Sequence, residues 1–227
     1  MPQEAPIPVP IPDRIAAGQI LATRLSTYAR RPDAIVLALP RGGVPVAYQI
    51  AEALGLHLDL LLVRKLGVPG HSELAMGAIA SGGVRVMNRD VLAYAGVDQA
   101  RIEAVAAREG AELQRRAQVY RGRRPLPPLR DRQVILVDDG VATGATMQAA
   151  VQAVRQQGPA RIVIAVPVAA PESAAQLRTQ VDELICPCEP PLLMAIGHWY
   201  VDFGQTSDDE VIELLQRAWQ REDAAEP

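Results

Sequence analysis

Val134–Val137 is an unbroken apolar run that stops at two carboxylates, Asp138 and Asp139. Gly140-Val141-Ala142-Thr143-Gly144-Ala145-Thr146 follows, and then an alanine-rich helical stretch, Met147–Gln157. So short and continuous a run reads as a strand buried on both faces, ending at the carboxyl edge of a parallel sheet. A helix that opens from a small-residue loop presents N–H groups without intrahelical partners. Its dipole and the threonine hydroxyls favour an anion there. The two acids would repel that anion, but they suit sugar hydroxyls, or a metal held through water. Together these parts imply a phosphorylated pentose as ligand. Asp139-Gly140 is also a hairpin signal, yet no alternating strand follows it. The nucleotide loop G-x-x-x-x-G-K-[ST] is excluded, because Ala145 stands at its lysine, and no G-x-G-x-x-G follows a strand.

The rest of the chain alternates strands with helices. Ile35–Leu39, Leu58–Val63, Arg161–Val166 and Glu183–Cys186 read as further strands. Val44–Leu54, Asp98–Arg121 and Pro171–Gln180 read as helices. Asp13 is positioned to cap a helix reaching about Arg30 with an apolar face of Ile15, Ile20, Leu21 and Leu25, and Ser207 to cap one through Trp219. Leu66–Gly77 reads as a Gly/Pro-rich loop bearing His71 and Glu73, and Ala78–Ala80 with Val84–Met87 as a short hairpin. Such alternation predicts an α/β fold, doubly wound around a mainly parallel five-stranded sheet.

Asp138–Thr146 resembles the ribose-phosphate loop of type I phosphoribosyltransferases, in the version carried by the adenine enzymes. The 6-oxopurine enzymes have a third acid where this chain has Ala142. The resemblance covers roughly Ile35 to Pro167. It implies a strand order of 3-2-1-4-5, with Ile35–Leu39 beside Val134–Val137 at the switch point where such sheets bind ligands. It also implies phosphoribosyl pyrophosphate as ligand, Mg2+ as cofactor and a homodimer. Asp138 and Asp139 would then hold the ribose and, through water, the metal. Ala142, Thr143, Gly144, Ala145 and Thr146 would hold the 5′-phosphate. Arg41, Gly42 and Gly43, in a turn after the first strand, would bind pyrophosphate. A strained peptide often precedes that glycine in the family, and the sequence leaves open whether Arg41–Gly42 is cis. Arg64 and Lys65, the latter the chain's sole lysine, would join the pyrophosphate set from a closing loop.

The acceptor would be a nitrogenous base or another small nitrogen compound, recognised by a hood built from the chain ends. Trp199, Tyr200 and Asp202 are the acceptor candidates, in a tail that holds both His198 and the only phenylalanine, Phe203. Equally, Trp199 and Phe203 could simply pack a small cap. The expected division is a Pro-rich arm over 1–12, a core over 13–186 whose first helix could join the hood, and a hood over 187–227. A regulator that senses phosphoribosyl pyrophosphate without catalysis is the rival reading.

Composition sets the outer bounds. In 227 residues with 49% hydrophobic content and a net charge of −3, a sizeable aliphatic core is available, and generic nucleic-acid or membrane binding is disfavoured. No apolar run reaches membrane-spanning length, and Met1–Pro12 lacks the features of a signal peptide, so a cytoplasmic protein is expected. The arginines around Arg115 and Arg116 could contact RNA, but i,i+4 pairs such as Glu112–Arg116 make a solvated helix the simpler account. Cys186 and Cys188 are too close for an unstrained disulfide and read as reduced thiols at a strand end.

Overall fold

Residues 7–225 are described in the structure, a computed structural model; the side chains of Ser72, Glu73 and Ala225 fall outside that description. The chain begins with α1 (Arg14–Arg24), β1 (Ala34–Ala38), α2 (Gly43–Leu54) and β2 (His57–Leu60). It continues through β3 (Val63–Val68), β4 (His71–Ala80), β5 (Val84–Met87), α3 (Arg89–Ala95) and α4 (Gln99–Arg121). The second half holds β6 (Gln133–Val137), α5 (Ala145–Arg155), β7 (Arg161–Ala165), α6 (Pro171–Arg178), β8 (Glu183–Ile185) and α7 (Asp208–Ala225).

Five parallel strands form the main sheet in the order β2-β1-β6-β7-β8. Alternate residues of β1, β6 and β7 enter two separate cores. Val36, Ile135 and Val163 pack with α1, α2 and α7, whereas Leu37, Leu136 and Ile164 pack with α5 and α6. Burial on both faces is why these strands carry no polar alternation. Counted in sequence, the parallel strands run 2-1-3-4-5, which corrects the expected 3-2-1-4-5. The reversal of winding still falls between β1 and β6, whose registers align Ala38 with Val137.

The third strand leaves the main sheet because Leu61 and Leu62 are drawn into the two opposite cores. Ser81 fixes this bend: its N–H donates to the Leu62 carbonyl at 2.9 Å, and its Oγ accepts the Leu62 N–H at 3.0 Å. Beyond it, β3, β4 and β5 make a separate antiparallel sheet where the sequence reading placed a Gly/Pro loop. Here glycine serves close packing as well as turning. A Cβ on Gly77 would sit 2.4 Å from the Val86 carbonyl, while Gly70 adopts φ +83° at the hairpin tip. Leu66, Val68 and Met76 bury against Ile102, Val105 and Ala106 of α4, giving this sheet its own small core. The hairpin expected at β4 and β5 is present, with Ala80 opposite Val84.

Asp13 caps α1 by accepting the Ala16 N–H at 2.7 Å. The helix is shorter than expected and rotated, burying Ala17, Gly18, Leu21 and Ala22 while Ile15 stays half exposed. Pro2 and Pro6 of the N-terminal arm lie outside the described residues. Ile11 is not a free extension: its N–H donates to the Trp199 carbonyl, and its own carbonyl accepts the Val201 N–H, both at 2.8 Å. The segments around Ile11 and Tyr200 therefore lie side by side. Cys186 and Cys188 are free thiols, and burial pushes Cys186 up to about 12. No helix among the described residues is long and apolar enough to cross a membrane.

Candidate active site

β6 delivers Asp138 and Asp139 at the switch point, beside the end of β1. Asp138 braces its own turn, with Oδ1 accepting the Asp139 N–H at 2.9 Å. Burial first, and the charge of Asp139 second, raise the Asp138 carboxyl well above the usual carboxylate range. Two carboxylates this close ionise together reluctantly. Asp139 is held by a cation: its Oδ2 accepts Arg14 Nε at 2.8 Å and lies 2.7 Å from Arg14 Nη2. The remaining Arg14 nitrogen donates to the Gly204 carbonyl at 2.6 Å, and the guanidinium lies 4.0 Å from the Phe203 ring centre. Tyr200 completes this support, its hydroxyl donating to the Asp139 carbonyl at 2.7 Å.

The loop after the acids is pinned at its base and open at its tip. Val141 N–H donates to the Val168 carbonyl and Ala170 N–H to the Val141 carbonyl, both at 2.9 Å. Ser173 Oγ donates to the Ala142 carbonyl at 2.6 Å. Gly144 then turns at φ +75°, a conformation that favours glycine, and α5 begins without a side-chain cap. The N–H groups of Thr143, Gly144, Ala145 and Thr146 have no acceptor among the described residues. Ala142, Thr143, Ala145 and Thr146 are exposed. Unpaired amides at a helix N-terminus form a seat for an anion.

The Pro40–Gly43 turn lies against the acids. A Cβ on Gly42 would fall 1.9 Å from Asp139 Oδ2, and one on Gly43 2.7 Å from the Val137 carbonyl. The two glycines thus let the loops leaving β1 and β6 touch. The cis peptide of this turn is Pro40–Arg41, one bond before the position raised by the resemblance. Arg41 Nη1 lies 3.4 Å from Asp208 Oδ1, which also accepts the Tyr120 hydroxyl at 2.6 Å. The Tyr120 hydroxyl, with Arg41 assisting, holds the Asp208 carboxyl below the usual carboxylate range. Burial and the Asp208 hydrogen bond push Tyr120 up to about 12.

Arg64 and Lys65 stand on β3, not on an irregular loop. Arg64 Nη2 lies 2.6 Å from Glu109 Oε2 on α4. It also lines a cavity of about 30 Å³ together with Pro40, Arg116 and Thr146, which links the arm to both site loops. Lys65 is exposed and opposite Ala78 of β4. His71 is exposed at the far hairpin tip, and the Glu73 side chain lies outside the described residues.

The acceptor candidates separate. Tyr200 is buried and commits its hydroxyl to Asp139, so it supports the acids. Trp199 packs against the main core, and Asp202 is exposed, with Oδ1 accepting the Gly204 N–H at 3.0 Å. Sequence reasoning missed Arg14, Ser173 and Asp208, while the expected i,i+4 pair of Glu112 with Arg116 is present at 2.8 Å. Arg14 meets Asp139 across 125 positions and Asp208 meets Arg41 across 167, and no local pattern marks such pairs.

Residues 13–199 match the sequence model of the phosphoribosyl transferase domain. The chain belongs to this family. Two Mycobacterium tuberculosis proteins, each named "putative phosphoribosyl transferase", are 47% identical over 206 residues, or 91% of this chain and 46% of theirs. The chain thus spans about half the length of the curated relatives it matches. The crystal structure of TT1426 from Thermus thermophilus superposes with a TM-score of 0.82 at 44% identity, covering 90% of this chain and 97% of that one. The loop leaving β6 lies inside the matched span.

Proposed function

We propose that this phosphoribosyltransferase moves a phosphoribosyl group from phosphoribosyl pyrophosphate to a nitrogenous base or other nitrogen acceptor, releasing pyrophosphate. The observation that carries the reading is the junction at β6, where unpaired amides over 143–146 adjoin a carboxylate pair that is sheltered from solvent. The amides of Thr143, Gly144, Ala145 and Thr146 hold the 5′-phosphate. Asp138 accepts hydrogen bonds from the ribose hydroxyls, and Asp139, fixed by Arg14, keeps that loop in place. During transfer the bond from C1 of the ribose to the pyrophosphate oxygen breaks with its electron pair leaving on pyrophosphate, a bond from C1 to nitrogen forms, and the proton of the acceptor nitrogen passes to solvent.

Charge separates along that path. The ribose ring becomes cationic near Asp138, and the departing pyrophosphate gathers negative charge beside Arg41, Arg64 and Lys65. Preorganised charges of this kind typically supply about 2.7–4 kcal/mol each. The donor set suits magnesium that arrives on the substrate. No group of three or more His, Cys, Asp or Glu side chains among the described residues could hold an ion, and Arg14 occupies Asp139. Asp138 would then reach the ion through water, as Mg2+ sites with one carboxylate and substrate phosphates commonly do. When bound, the ion supplies neutralisation of the leaving group.

Residues 187–227 with α1 act as the hood over the acceptor in this reading, and the protein works as a cytoplasmic homodimer, which sedimentation of the purified chain checks. The deciding assay incubates the protein with Mg2+, phosphoribosyl pyrophosphate and a panel of purines, pyrimidines and other nitrogen heterocycles. Acceptor-dependent pyrophosphate release supports transfer. Tight ligand binding without release from any acceptor supports the sensing regulator instead.

A further inference from the structure

Two arginines of α4 share one carboxylate but meet different surroundings. Arg115 is 62% exposed and pairs with Glu112 Oε2 at 2.8 Å. Arg116 pairs with Glu112 Oε1 at the same 2.8 Å, yet its side chain is only 37% exposed and lines the small cavity with Pro40, Arg64 and Thr146. No carboxylate lines that cavity, and the rest of its wall is aliphatic: Leu39, Leu61, Leu62, Val63 and Leu113. It lies between the turn after β1 and the first turn of α5, with one arginine from β3 and one from α4 among its lining residues. An anion of pyrophosphate size that opened the cavity outward would meet both cations.

The carboxylates behind these arginines are doubly supplied. Glu112 accepts Arg115 Nη2 at 3.0 Å as well as Arg116 Nε. Glu109 holds Arg64 on Oε2 and Arg108 on Oε1, the latter 3.0 Å from Arg108 Nη2. Turning either cavity arginine toward a ligand therefore leaves no carboxylate without a cation. The usual penalty for breaking a shielded ion pair, an abandoned charge, does not arise.

We propose that Arg116 is a pyrophosphate-binding residue, acting with Arg64 in the cavity between Pro40 and Thr146, an assignment that rests on the phosphoribosyl-transfer reading. Guanidinium groups bind phosphate oxygens in paired hydrogen bonds, so two of them can grip one diphosphate from adjacent sides. Glu112 and Glu109 keep the pair oriented when the site is empty.

Calorimetric titration of the full chain with magnesium pyrophosphate, and separately with ribose 5-phosphate, tests this. Arg116→Gln is expected to weaken pyrophosphate binding about tenfold or more, near 1.4 kcal/mol, with ribose 5-phosphate unchanged. Arg101→Gln, which removes the same charge from the same helix at an exposed residue paired with Asp98, leaves both affinities unchanged. Arg116→Lys keeps the charge without the planar fork and falls in between. Far-UV circular dichroism verifies that the variants are folded. Wild-type pyrophosphate affinity in Arg116→Gln, or equal weakening in Arg101→Gln, overturns the assignment. Wild-type protein that binds neither ligand overturns the transfer reading itself.

Discussion

An ionised Asp138 is what ribose hydroxyls or a hydrated cation require, yet its surroundings favour the protonated carboxyl. That tension has a stability signature. Below the ordinary carboxylate range, near about pH 4, Asp138 is protonated in both the folded and the unfolded chain. As pH rises, the unfolded chain ionises first, so this group's contribution to stability is lost until pH passes the raised folded value. Asp138→Asn keeps the oxygen that accepts the Asp139 N–H and cannot ionise. Calorimetric scans should show a Tm a few degrees above wild type at pH 7–8, with the gain shrinking toward pH 4, while turnover disappears. A Tm difference independent of pH would contradict the assigned cause. Lys65→Ala is the counterpart on the leaving-group side. Steady-state kinetics should give a turnover roughly a hundred to a thousand times lower with an unchanged melting curve.

At the scale of elements, the loops leaving β1 and β6 depend on each other through the absence of two side chains. Gly42→Ala places a methyl on the Asp139 carboxylate, where 1.9 Å is available. Urea unfolding should register a loss of about 1–3 kcal/mol, the usual cost of overpacking. Elements were legible in the sequence where one local cause dominates. β1, β6 and β7 announce themselves as apolar runs because both faces are buried, and α4 begins at its Asp98 cap, which accepts the Arg101 N–H at 2.8 Å. The arm was misread because Gly67, Pro69, Gly70 and Gly77 look like loop composition, while their role is a tight hairpin with closely packed strands. α3 was missed because it spans only seven residues, between the Asn88 cap and Gly96. In the proposed site, Asp138–Thr146 is contiguous in sequence, so its residues stand together without any knowledge of the fold. Arg14 and Asp208 reach the acids and Arg41 only after folding brings distant segments together.

Across the whole molecule, Arg14 joins the N-terminal helix, the acids of β6 and the C-terminal segment in one contact set. Arg14→Gln leaves Asp139 sheltered without its cation and loosens that contact set. Breaking such a pair typically costs about 3–5 kcal/mol, and urea denaturation should find a loss of that order. A loss below about 1 kcal/mol would mean the contact behaves as an ordinary surface pair.

The most direct test of the account is the affinity for ribose 5-phosphate, measured by calorimetry on wild type and on Thr143→Glu. Thr143 is exposed at the open tip of the loop, so the substitution brings a negative charge to the anion seat without disturbing the core. The account predicts saturable binding by wild type and at least hundredfold weaker binding by the variant, with equal melting temperatures. Equal affinity in the two proteins, or no binding by wild type, would contradict it.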